Sequence, residues 1–371
     1  MKLTAKMVKE AAIRAGCGDV GIANIERFAN APRRMHPKNI FPDCKSVITI
    51  VQPITRGSYR GITEGTHWAN YTIYSYNRLN TLYRPIVTYE TACFIEDHGF
   101  EAVPLYPGGP EAPGKRPPVK PDRPPPEINI NVRIAGVACG VGEIGWSKVF
   151  LTKKFGPRVR LGTILTDAEL EPDPLLEPGT LCNRCMRCVK ECPGGAIPKP
   201  GEKPTIKIKI DNQEYEWADV HMGRCTLTHH GLNWEASPFL KKDAPGFNLD
   251  VRHSNMSEET AYKLCYPVGT SKWPARTPEF PESNGGVIEY YKQILSHTGY
   301  FAICGAKGCI RACMDNLEKK KRIAQSNFKT PVWPRPAWKL PPPAEDQCGG
   351  IAEGKFPEQF NNPDLNPGGW K

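Results

Sequence analysis

The sequence predicts an α+β protein with a compact cysteine-rich module behind its first domain. Three features predict it. Short apolar runs alternate with helical stretches in the first half of the chain. Cys182, Cys185, Cys188 and Cys192 follow the spacing C-x2-C-x2-C-x3-C, with Pro193 directly after. Proline is dense at Pro104–Pro126, at Pro172–Pro178 and again beyond Thr330, and so punctuates the chain into regions. With 371 residues, about two domains are expected. The divisions fall at 1–175, 176–325 with an insertion at 226–303, and a Pro/Gly-rich wrapping tail at 326–371.

In chain order, Thr4 caps a helix over 4–15, and Gly16 or Gly18 ends it. Val20–Ile25 and Ser46–Ile54 read as strands. Trp68–His98 is helical, with Leu79, Leu82, Ile86 and Ile95 facing inward; Pro85 kinks or divides it, and Gly99 stops it. Glu101–Leu105 is a strand. Pro104–Pro126 is an extended loop, because proline supplies no N–H to a helix or a central strand. Arg160–Asp167 resumes strand character. Ile206, Ile208 and Ile210 alternate with lysines into Asp211-Asn212, a hairpin signal. Val287–His297 reads as a helix within the insertion.

Four cysteines so close together favour an iron–sulfur cluster over zinc, whose ligand pairs are usually set widely apart. Cys304, Cys309 and Cys313 lie downstream and Cys225 lies between, making eight in all. A two-cluster ferredoxin module needs eight thiolates, and its cysteine runs cross over between clusters. The expected partition is Cys182, Cys185, Cys188 and Cys313 for one [4Fe–4S] cluster, and Cys192, Cys225, Cys304 and Cys309 for the other. Cys304 to Cys309 is two residues wider than C-x2-C, and no proline follows Cys313. Cys17, Cys44, Cys93, Cys139, Cys265 and Cys348 lack ligand spacing and read as buried thiols. Cys265 is the substitute if Cys225 is not a ligand.

Hydrophobic content of 39% and a mean hydropathy of −0.47 fit a soluble protein without a transmembrane segment. The first residues show no secretory or twin-arginine pattern, so a cytoplasmic location is expected. Part of the formal charge of +10 falls in Lys153-Lys154, Arg158, Arg160 and Lys319-Lys320-Lys321-Arg322. An acidic electron donor such as a ferredoxin or flavodoxin, a nucleic acid, or no partner at all fits such groups.

Gly140, Gly142 and Gly145 permit tight turns, and backbone amides there are able to hold a phosphate or the polar edge of a large cofactor. No strand–loop–helix unit with a ribose-binding acid accompanies them, which argues against a dinucleotide fold. The run Gly140-Val-Gly-Glu-Ile-Gly-Trp-Ser-Lys-Val-Phe-Leu-Thr-Lys-Lys-Phe-Gly-Pro-Arg-Val-Arg-Leu-Gly-Thr-Ile-Leu-Thr-Asp167, taken with the cysteine run, resembles the corrinoid-dependent reductive dehalogenases. It is similar also to their relatives, the epoxyqueuosine reductases. Arg224-Cys225-Thr-Leu-Thr-His-His matches the family's lone cysteine between cluster motifs.

The resemblance implies a nitroreductase-like cobalamin-binding core followed by a two-[4Fe–4S] bacterial ferredoxin-like module. It implies a corrinoid, touched here by Gly140, Gly142, Gly145 and Ser147, and a tyrosine proton donor for a small-molecule substrate. Tyr74 or Tyr76 fits that role, since a nearby lysine or arginine makes a tyrosine donate more readily. The expected electron path runs from the Cys192/Cys225 cluster to the Cys182/Cys313 cluster and on to the corrinoid. The epoxyqueuosine family's acid is missing from Pro125-Pro126-Glu127-Ile128, though Glu127 stands near its place. His221, His229 and His230 flank Cys225 and are able to bond cluster sulfurs or line a corrinoid. Two other readings stand beside this one. One is an electron-transfer subunit that reduces a partner's cofactor; the other is a tRNA-modifying reductase.

Overall fold

The computed structural model describes residues 2–106, 117–126, 128–240, 249–269, 302–331, and Trp333, Trp338 and Leu340. The expected helix at Val287–His297, Glu127, Cys348 and most of the C-terminal tail lie outside these residues.

The first helix, α1 (Ala5–Arg14), begins where the Thr4 hydroxyl accepts the Met7 N–H at 3.3 Å. It packs on a four-stranded antiparallel sheet of order β1-β2-β6-β3. These strands are β1 (Asp19–Asn24), β2 (Ser46–Pro53), β3 (Ala102–Leu105) and β6 (Val159–Thr166). Nearly every residue of β2 and β6 is buried, as a sheet covered on both faces requires. One face carries Ile22, Ile48 and Ile164 against α1 and α4; the other carries Val47, Val51, Leu161 and Leu165 against α5. Antiparallel pairing with helices laid on the faces is an α+β arrangement.

Between β2 and β3 run α2 (Arg60–Glu64), α3 (Ala69–Thr72) and α4 (Arg84–Glu96). Two wide π turns, Ile73–Asn77 and Leu79–Tyr83, join α3 to α4. The division expected at Pro85 falls one residue earlier, placing Pro85 in the first turn of α4, where its missing N–H costs little. After α5 (Val132–Ala138) comes a short hairpin, β4 (Gly142–Ile144) with β5 (Phe150–Thr152), which sequence reading did not separate from the glycine run.

The cysteine region opens with α6 (Arg187–Lys190). The hairpin β7 (Thr205–Ile210) and β8 (Gln213–Ala218) turns at Asp211, whose φ is +49°. Then follow α7 (Met222–His229), α8 (Glu258–Gly269) and α9 (Cys309–Lys319). Trp333 stacks edge-on against Tyr59 at 5.7 Å, and the Trp338 indole donates to the Ile62 carbonyl at 2.9 Å. Those two described residues of the tail thus lie against the domain.

Candidate redox site

The structure gathers the eight clustered cysteines into two groups of four. Cys182, Cys185, Cys188 and Cys313 line one recess together with Gly145, Trp146 and Ser147. Arg184 (φ +49°) and Met186 (φ +57°) hold left-handed backbone between these cysteines. Such strain in residues other than glycine costs of order 1 kcal/mol each, and here it reverses the chain so that successive thiols turn to one side. The Trp146 N–H donates to the Cys182 sulfur at 3.3 Å, and the Ser147 hydroxyl bonds Cys188. Burial, then the proximity of Cys182 and Cys185, pushes the Cys188 thiol up to about 11. Burial and the same three neighbours push Cys313 well above the ordinary thiol value.

Cys192, Cys225, Cys304 and Cys309 form the second group, joined by the same mutual effect. Burial first, then neighbouring thiols, raises Cys225 to about 11 and holds Cys304 and Cys309 well above the ordinary thiol value. The Ala196 N–H donates to the Cys192 sulfur at 3.4 Å. The two extra residues between Cys304 and Cys309 form a 3-10 turn, Cys304–Ala306, with the Gly308 N–H bonding back to the Cys304 carbonyl at 2.9 Å. A Cβ on Gly308 would press the Cys304 sulfur at 3.0 Å and the Pro193 ring at 3.3 Å, so only glycine closes this turn without displacing a thiol.

Helix α9 belongs to both groups. Cys309 and Cys313 are one helical turn apart, about 6 Å along the axis, and serve different groups. Cys188 and Cys192 divide in the same way. Two C-x3-C steps therefore tie the groups side by side. Among the described residues, no three His, Cys, Asp or Glu side chains come together to hold a single metal ion. A cubane instead distributes four thiolates around its own volume. Clustered thiols that raise one another's pKa lack a positive charge in their midst, and bound iron supplies one. The donor set fits two iron–sulfur clusters.

Glu143, missed by the sequence reading, anchors the loop entering the first group. Its buried carboxylate accepts the Gly179 N–H at 2.8 Å, the Leu181 N–H at 2.7 Å, and the Cys182 N–H. Nothing in the local sequence marks it except its place between Gly142 and Gly145.

Beside the second group lies a cluster of aromatic and basic side chains. Tyr71 is fully buried, with its ring 5.2 Å from Tyr59 and 5.9 Å from Tyr76. A Cβ on Gly305 would collide with the Tyr71 hydroxyl, so that hydroxyl rests against the backbone next to Cys304. Among the described residues the hydroxyls of Tyr59 and Tyr71 have no hydrogen-bond partner. Arg160 stacks over Tyr76 at 4.1 Å, bonds its side chain, and donates to the Ser75 carbonyl at 2.6 Å. His229 stacks on Tyr76 at 5.1 Å and on His230 at 4.9 Å. Burial, His230 and Arg160 hold His229 well below the ordinary histidine value, so it stays neutral. Burial pushes Tyr71 well up, so it stays protonated.

The other expected residues fall elsewhere. Tyr74 is 46% exposed, away from Tyr71 and Tyr76. His221 caps α7, its Nδ1 accepting the Arg224 N–H at 3.4 Å. Gly140 (φ +71°) faces the Pro174 carbonyl and Gly142 the Leu151 carbonyl, both too close for a Cβ. Gly145 and Ser147 belong to the first thiol group's recess. Gly140 and Gly142 therefore pack on the chain's own backbone. Arg158 is 2% exposed and donates to the Ile54 carbonyl at 2.6 Å, so it is no part of a solvated basic surface.

No family model matches the chain. The tetrachloroethene reductive dehalogenase of Desulfitobacterium hafniense is 40% identical over 73 residues, which is 19% of this chain and 13% of that protein. The epoxyqueuosine reductase of Gloeobacter violaceus is 27% identical over 251 residues, 65% of this chain and 68% of that protein. Over these stretches the chain is similar to both reductive dehalogenases and epoxyqueuosine reductases. Its match spans about an eighth of the dehalogenases' length (13%). Among solved structures, an epoxyqueuosine reductase with a tRNA stem loop covers 86% of this chain, and 82% of its own chain is covered, at 15% identity and a TM-score of 0.41. A catabolic reductive dehalogenase in complex with 3-bromo-4-hydroxybenzoic acid covers 91% of this chain, with 41% of its own covered, at 14% identity and a TM-score of 0.43. Among the described residues no helix is long and apolar enough to cross a membrane.

Proposed function

We propose that this chain is an iron–sulfur reductase. Cys182, Cys185, Cys188 and Cys313 would hold one [4Fe–4S] cluster, and Cys192, Cys225, Cys304 and Cys309 the other. The grouping of eight thiols into two sets, one opening to solvent at Cys185 and the other backed by Tyr71, carries the reading. When bound, such clusters supply single electrons at low potential. Cys185 is exposed, whereas Cys304 adjoins Tyr71. That placement supports electron flow from the Cys182/Cys313 side to the Cys192/Cys304 side, the reverse of the order expected from sequence.

The chain's own residues provide the proton. The Arg160 guanidinium stacks over the Tyr76 ring and bonds its side chain, which fixes the Tyr76 hydroxyl in place as the proton donor. Neutral His229 lies against the same ring and keeps that wall of the site uncharged. Tyr71 stays protonated and keeps the wall beside Cys304 neutral. A corrinoid, implied by the resemblance, would supply the bond-breaking chemistry at this end. Gly140 and Gly142 pack on the chain's own carbonyls and do not cradle it.

The substrate is a reducible small molecule of the dehalogenase kind. A second reading, tRNA epoxide reduction, is favoured by the longer alignment, which spans 65% of this chain. Anaerobic protein, loaded with iron and sulfide and with or without added cobalamin, should be assayed on a halogenated phenol and on an epoxyqueuosine-containing stem loop. Turnover of the phenol supports the first reading, and turnover of the stem loop alone supports the second. Failure to take up iron refutes both.

A further inference from the structure

We propose that the rim around Cys185 is the docking surface for an acidic one-electron carrier protein of the small ferredoxin or flavodoxin kind. The inference rests on the iron–sulfur reading above, and adds where electrons arrive and what delivers them. Of the eight clustered cysteines, Cys185 alone is exposed. Its recess is lined by Arg184 and Arg187 and by Ala312, Cys313 and Asn316 of α9, whose last residue, Lys319, shares Asp315 with Arg187 and is followed directly by Lys320 and Lys321. Arg322 donates to the Thr180 carbonyl at 2.6 Å, so the basic end of α9 is tied to the loop that leads into Cys182.

The local acids do not cancel this charge at the surface. Arg184 pairs with Glu216, Arg187 with Asp315 at 2.7 Å, and Lys319 with Asp315 at 3.0 Å. In each pair the carboxylate is the inner partner: Glu216 and Asp315 side chains are 23% and 11% exposed, against 50%, 37% and 69% for Arg184, Arg187 and Lys319. Lys320 and Lys321 are exposed as well. The outward face is therefore positive while the inner layer is neutralised. Such a layout attracts an anionic partner without committing it to a permanent interface, as small redox encounters require. A nucleic-acid surface would offer rings for base stacking. Here the nearby Trp146 is 3% exposed and covered by Arg184, at 5.3 Å from its ring.

The test uses the full chain, reconstituted and oxidised, mixed in a stopped-flow cell with a reduced acidic [2Fe–2S] ferredoxin. The double variant Lys320→Glu/Lys321→Glu should slow cluster reduction about 10-fold or more at low salt, within the range that electrostatic steering spans. The difference should shrink at 0.5 M salt, where the Debye length is only about 4 Å. Lys2→Glu/Lys6→Glu, just before and within the first turn of α1, should leave the rate unchanged. Reduction by photoreduced deazaflavin, iron content and the spectrum of the reduced clusters should match across all three proteins. Loss of iron or of that spectrum in the native protein would mark failure of the cluster reading itself. An unchanged ferredoxin rate in Lys320→Glu/Lys321→Glu, or an equal loss in the α1 control, overturns the docking proposal. So does loss of stem-loop RNA binding in the double variant with the ferredoxin rate intact.

Discussion

Glu143→Gln should destabilise the protein and empty the first thiol group. Three backbone N–H groups share this one buried carboxylate: Gly179 on Oε2, and Leu181 and Cys182 on Oε1. An amide keeps one oxygen. Whichever way it turns, at least one N–H then faces an NH2 and is left without an acceptor. Leaving a buried donor unsatisfied costs about 1–3 kcal/mol, and each remaining bond that falls from charge-assisted to neutral loses about 1 kcal/mol. The total is about 3–5 kcal/mol, a large share of a typical domain's stability. The bond to the Cys182 N–H fixes where the first cysteine enters, so cluster occupancy should fall with it. The assay is denaturant unfolding under anaerobic conditions, paired with iron analysis. Exposed Glu177→Gln should stay within about 0.5 kcal/mol of native. A Glu143→Gln protein within about 1 kcal/mol of native, and with full iron, would refute the view that this carboxylate holds the loop.

Cys225→Ala should lose about half of the bound iron, since four thiolates hold each cluster, while Cys265→Ala should keep all of it. Iron analysis distinguishes them, and the reverse result would make Cys265 the ligand. Tyr76→Phe should lower turnover about 10²–10⁴-fold, the usual worth of a positioned proton donor, with Tyr74→Phe near native; steady-state rates on the substrate that turns over decide it. His229 is held well below the ordinary histidine value by burial, His230 and Arg160. The unfolded chain therefore takes up this proton first as pH falls. Stability should be full above about pH 6.5 and decline below it by at most about 1.4 kcal/mol per pH unit from this group. Denaturant melts of native and His229→Gln protein from pH 5 to 8 should show the slope flattened in the variant.

Much of this was legible in the sequence because it depends on local rules. The Thr4 cap, the apolar runs of β1, β2 and β6, and the Asp211-Asn212 turn each declare themselves within a few residues. The two thiol-rich runs were legible from their spacing, and the expected partition came from the way ferredoxin-type cysteine runs cross over between clusters. The proton site was not. In a regular helix five residues advance about 140°, which would point Tyr71 and Tyr76 apart. The π turn at Ile73–Asn77 widens the spiral and brings their rings to 5.9 Å. No residue type announces such a turn, and Tyr74 looked equally suited. Arg160 read as surface charge because its burial depends on the helix laid across β6. The glycines at 140 and 142 suggested a cofactor cradle, yet the close approach they permit is to the chain's own carbonyls.

The central claim is that two iron–sulfur cubes sit side by side in this chain. Its most direct test is iron and sulfide analysis with electron paramagnetic resonance of the fully reduced, anaerobically reconstituted protein. The account predicts about eight irons per chain, as two cubanes require, and a signal broadened by two interacting spins. A single isolated paramagnetic centre, or zinc in place of iron, would contradict it.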